Sequence, residues 1–178
     1  MKYLNKIQKI YSVAFVLLKI LISISVIAAV LSLAGVVWIM IGSNTSLGDN
    51  FILMFIWNTQ KLSNNQIICE LLIAFVKSIS YLFMFRTAIV YVKNEIAIGT
   101  PFDKKVAKQL TRVGLTMIIT TCACSLVTAI IYGVSNGFSS ATLHEGNGQI
   151  ATIIIGAILL VLSLIFSYGV EISETQQQ

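Results

Sequence analysis

The chain has 178 residues, of which 57% are apolar and only 11% charged, and its mean hydropathy is +0.89. Soluble domains hold about 45–50% apolar and about 25% charged residues, so the composition excludes an ordinary soluble domain and points to a membrane protein. The net charge of +5 arises from 12 Lys and Arg against 7 Asp and Glu, and its placement informs more than its size.

A helical span needs roughly 20 apolar residues to cross about 30 Å of hydrocarbon. Four runs qualify, at about 13–42, 67–92, 113–134 and 150–170. The first is interrupted only by Lys19. Ser32-Leu33-Ala34 faintly resembles a signal-peptide cleavage site, but an apolar core of that kind is about 7–15 residues, so the longer run reads as an uncleaved anchor. Side chains lean toward the helix N-terminus, which lets Lys19 snorkel in that direction. Residues 51–57, FILMFIW, are too short to span and are expected in the outer interface or packed on the bundle mouth, where aromatics are favoured.

The second run carries Glu70, Lys77 and Arg86. Ionisable groups at depth are costly and are functional candidates by default. Glu70 lies near the outer end and is expected to reach water. Lys77, seven residues on, returns to nearly the same face and leans toward Glu70. Arg86 lies roughly opposite Lys77 and needs a partner, for which the hydroxyls of Thr116, Thr120, Thr121, Ser125 and Thr128 in the third run are the expected source. Both a structural and a ligand-contacting role remain open for Lys77.

The third and fourth runs hold no charge. In lipid, helices meet where small residues permit close approach. Thr121, Ser125, Ala129 and Gly133 provide such a face in the third run, Thr152, Gly156, Ser163 and Ser167 in the fourth, and Ala28, Ser32 and Gly35 in the first. This pattern suits an internal bundle and equally a homo-oligomer interface.

Between the second and third runs, residues 93–112 carry Lys93, Lys104, Lys105, Lys108 and Arg112, and Lys2, Lys6 and Lys9 precede the first run. The opposite loops hold only Lys61. By the positive-inside rule both termini and the basic loop face the cytoplasm. Gly99 suits a helix C-terminus, Thr100 an N-cap, Pro101 the first helical turn and Asp103 the fourth member of a capping box. Val106, Leu110 and Val113 then recur at helical spacing. An amphipathic helix leading into the third span is therefore expected, and it suits either a membrane-surface hairpin or a docking surface built from Phe102, Lys104, Lys105, Lys108 and Arg112. Anionic lipid would attract its basic residues by about 1 kcal/mol each. No nucleic-acid-binding motif accompanies them, so no direct nucleic-acid contact is expected.

Within residues 86–114, the pattern Gly99-x-Pro101-Phe102 followed by Leu110-x-x-x-Gly114 resembles small four-span bacterial membrane proteins catalogued as domain of unknown function 2975. Ile165-Phe166-x-x-Gly169 leading to Ser173-Glu174 is similar to that family's close, although the chain departs from it by ending in Gln176-Gln177-Gln178. The resemblance implies a bacterial plasma-membrane protein without assigned chemistry, often encoded beside a small helix-turn-helix regulator.

No enzymatic constellation appears. His144 is the single histidine, Cys122 and Cys124 stand about 200° apart on a helix, and Cys69 is remote from both, so neither a metal nor a cofactor is expected. Asn44-Thr45-Ser46 is a weak glycosylation match. The expected object is an all-α, integral membrane four-helix bundle forming one domain over residues 1–178. Its expected function is non-enzymatic protein–protein contact, by tethering or inhibiting a cytoplasmic transcriptional regulator or by giving immunity. The alternative is a small-solute or ion permeation subunit that uses the charged second span.

Overall fold

The structure, a computed structural model, describes residues 2–41, 64–98, 103–136 and 146–175. They form four helices: α1 (Lys2–Ile41), α2 (Asn64–Ile98), α3 (Lys104–Asn136) and α4 (Gly146–Thr175), with no strand among the described residues. Each contains a segment apolar and long enough to cross a membrane: Gln8–Met40, Asn65–Ile98, Lys104–Val134 and Gly148–Ile172. Even α4, with 30 residues, rises about 45 Å against about 30 Å of hydrocarbon. The chain is an all-α, multi-pass membrane protein. The helices outrun the apolar runs at the end bearing Lys93 and Lys104, because nothing between Val92 and Ile98 or between Lys104 and Val113 breaks a helix. Residues 51–57, the Asn44-Thr45-Ser46 match, Lys61, Phe102 and His144 lie outside the described residues.

Burial is inverted relative to a soluble bundle. Large apolar side chains such as Val134, Leu164 and Met40 face outward, while Ser25, Ser32, Ser78, Thr121, Thr128 and Ser163 are buried. Hydrocarbon removes the reason to hide apolar surface, so close packing of small side chains decides which face turns inward. Most of these hydroxyls are satisfied within their own helix, although Thr128 Oγ1 finds no partner among the described residues. Ser25, Ser32, Ser78 and Thr121 each donate to the carbonyl one turn earlier, at 2.9, 2.7, 2.8 and 2.7 Å, which frees a small polar residue to sit at a dry interface.

Extensive packing runs between chain neighbours: α1 on α2, α2 on α3, and α3 on α4. The fold thus consists of two antiparallel hairpins joined through α2 and α3. In the first, Val36 and Ile39 cluster with Ile67 and Leu71, and a Cβ at Gly35 would stand 3.0 Å from the tip of Leu71. At the other end of the same hairpin Tyr11 meets Glu95. Tyr11 lies 24 residues before Gly35 and Glu95 lies 24 after Leu71, so the pairing keeps one register along the hairpin.

In the second hairpin Thr111 donates to Ser163 at 3.0 Å and Ser125 donates to Gln149 at 2.8 Å. These contacts are 14 residues apart on both helices, again one register. Between them the backbones touch. A Cβ at Gly114 would lie 2.7 Å from the Gly156 carbonyl oxygen, and one at Gly156 would lie 3.0 Å from the Gly114 oxygen. Gly114 is not in the small-residue stripe expected from four-residue spacing. The buried positions follow seven-residue spacing instead: Ala107, Gly114, Thr121 and Thr128 on α3, and Gly156, Ser163 and Val170 on α4. A repeat of seven keeps one seam facing a neighbour over many turns, whereas a repeat of four drifts away from it.

The interior charges also find places. Glu70 is half-buried and accepts a hydrogen bond from the Tyr132 hydroxyl of α3 at 2.6 Å, a partner the sequence reading missed. Lys77 is half-buried and engaged with a neighbour. Arg86 is exposed rather than turned into the bundle, and the Thr120 and Thr121 hydroxyls donate to backbone carbonyls of their own helix. The Lys19 ammonium lies 4.6 Å over the Phe15 ring, one turn toward the N-terminus, as the lean of helical side chains requires.

Candidate functional site at the basic end

The end shared by the start of α1, the α2–α3 connection and the end of α4 gathers most of the chain's described charge. Its geometry begins with the start of α3. The Asp103 carboxylate accepts the Lys105 amide at 2.7 Å and its carbonyl accepts the Ala107 amide at 2.9 Å. That is the bonding of an N-cap. Asp103 thus caps α3, while Gly99, Thr100 and Pro101 of the expected capping pattern lie outside the described residues. An aspartate at this position satisfies an orphan amide and complements the positive end of the helix dipole in one residue.

The capped start of α3 divides the basic residues into two sets. Lys104 and Lys108, one turn apart, face α4 and line a cleft of about 420 Å³ together with Thr111, Ser167, Glu171 and Glu174. Lys104 crosses its mouth to Glu174 at 2.6 Å, with both side chains more than half exposed. Thr111 and Ser163 join the two helices beneath it, and Ser163 is only 1% exposed. Lys105 and Arg112, seven residues apart, are exposed and take no part in the cleft, and Lys93 is exposed near the end of α2. Sequence spacing grouped Lys104, Lys105, Lys108 and Arg112 as a single surface; packing against α4 separates them.

The other hairpin carries a different arrangement at the same end. Tyr91 donates to the Tyr11 hydroxyl, which donates to the Glu95 carboxylate. Glu95 is 3% exposed, and its Oε2 has no hydrogen-bond partner among the described residues. A buried carboxylate with one oxygen unpaired costs free energy, which makes it the least satisfied group of this hairpin. Sequence reading passed over Glu95 because the apolar run was ended at Val92. The available signal was its spacing: Glu95 stands 28 residues, eight turns at 3.5 residues each, after the core residue Ile67.

Among the described residues no three His, Cys, Asp or Glu side chains converge as metal ligands. Cys122 is exposed and Cys124 buried, in keeping with their angular separation. Chemically, the basic end offers an exposed cationic helix face, an amphoteric cleft and a buried carboxylate, rather than a nucleophile with a base. No family model, no curated protein and no solved structure matches the chain.

Proposed function

We propose that this chain is a non-catalytic, multi-span protein of a bacterial plasma membrane that works by protein–protein contact, holding a cytoplasmic transcriptional regulator against its basic end. The observation that carries this reading is the outward pair Lys105 and Arg112, on a capped helix continuous with a membrane span. A charged surface on a rigid element loses little conformational entropy on docking, which favours a specific protein partner. The basic face suits an acidic partner surface, and the resemblance in residues 86–114 supplies the class of partner, a small helix-turn-helix regulator.

The test is co-purification of the tagged, full-length chain with the regulator encoded beside it. Lys105→Glu with Arg112→Glu should abolish capture while membrane insertion and the melting temperature stay near those of the parent. Capture unchanged by the double charge reversal would overturn the reading. Permeation through the second span receives less support, since Glu70 is held by Tyr132 and Arg86 points outward.

A further inference from the structure

The cleft between α3 and α4 is built from opposite charges that do not all meet. Lys104 and Glu174 close its mouth on each other. The next pair inward, Lys108 on α3 and Glu171 on α4, lines the same cleft, yet neither makes an ion pair among the described residues. Thr111 and Ser167 add hydroxyls on the two walls. The four charged residues sum to zero, so the cleft has no reason to prefer a net anion or a net cation. It has a reason to prefer one molecule that carries both charges close together.

Depth narrows the choice. The uncharged stretch of α3 begins at Val113, just beyond Thr111, and that of α4 ends at Val170, just before Glu171. The cleft therefore lies where apolar helix surface gives way to polar, the level of lipid head groups. One turn toward the membrane from Ser167, on nearly the same face of α4, Leu164 is exposed, a surface suited to acyl chains. The volume of about 420 Å³ falls within the range of small-molecule sites.

We propose that this cleft binds the head group of a zwitterionic phospholipid with a primary ammonium, the ethanolamine class. The phosphate takes Lys108, and the ammonium donates to Glu171. A glycerol head group offers no cation to Glu171 and leaves that carboxylate facing a phosphate. A choline head group has no N–H to donate, and the cleft lining has no aromatic ring to hold a quaternary ammonium. The assignment is independent of the tethering function, because Lys105 and Arg112 lie outside the cleft.

The experiment is native mass spectrometry of the full chain in detergent, with ethanolamine, glycerol and choline phospholipids of identical acyl chains added in equal amounts. The parent should retain the ethanolamine lipid in preference to the other two. Glu171→Gln should reduce that preference about fivefold or more, as expected for loss of a charge-assisted hydrogen bond. Glu171→Lys should turn it toward the glycerol lipid, and Lys105→Gln should behave as the parent. Equal retention of all three lipids by the parent, or a preference that Glu171→Gln leaves intact, would overturn the proposal. Soluble glycerophosphoethanolamine at the same concentration should displace little lipid; complete displacement would make the free head group the ligand and overturn the lipid assignment.

Discussion

In the α1–α2 hairpin, Gly35 faces the flexible tip of Leu71, whereas in the α3–α4 hairpin Gly114 faces the backbone of Gly156. The first hairpin is held by interlocking side chains, among them Val36, Ile39, Ile67 and Leu71. The second is held by backbone approach and two side-chain hydrogen bonds, Thr111 to Ser163 and Ser125 to Gln149. Their basic ends differ in the same sense. Broad side chains close the first over Glu95, and the second, with charged side chains flanking its seam, leaves an open cleft. Small residues bring helices together along the middle, but they do not fill the space where the seam ends.

The largest effect should come from the backbone contact. Gly114→Val places a branched side chain where even a Cβ has no room, and should cost about 3 kcal/mol or more in thermal unfolding of the detergent-solubilised chain. Gly35→Ala meets only a movable Leu71 side chain and should change stability by less than about 0.5 kcal/mol. Equal losses would erase the distinction between the hairpins.

At the basic end of the first hairpin, Tyr11→Phe removes the hydroxyl that donates to Glu95 and should cost about 1–3 kcal/mol. Glu95→Gln keeps an acceptor for Tyr11 and removes the buried charge, so it should raise the melting temperature. A fall instead would mean that the second carboxylate oxygen is satisfied in the membrane. Smaller effects belong to the second hairpin. Ser125→Ala loses an interhelical hydrogen bond, for which about 0.6 kcal/mol is typical in membrane bundles. Lys104→Ala breaks an exposed ion pair and should cost only a few tenths of a kcal/mol, less still in high salt. A Lys104 effect larger than that of Ser125 would show the cleft mouth to be a structural clasp.

Much of this architecture is legible in the chain. The four spans follow from apolar length, the lean of Lys19 toward Phe15 follows from helix geometry, and the separation of Cys122 from Cys124 follows from their spacing. The seams were harder to read. Four-residue spacing selects Thr121 and Gly133 correctly as buried but passes over Ala107 and Gly114, because long membrane helices that stay in contact require a repeat of seven. Glu95 was hidden by a different cause. The apolar run was ended at Val92, before Lys93, while the helix and its packing continue to Ile98.

The sequence by itself determined that this is a membrane protein with four apolar runs and five of its 12 basic residues between the second and third, since composition and charge placement depend on no neighbour. Only the tertiary structure decided that Lys104 and Lys108 part company with Lys105 and Arg112, and that Glu70 meets Tyr132. Each depends on which face of one helix is turned toward another. That rotation is set by contacts such as Gly114 on Gly156, between residues far apart in the chain.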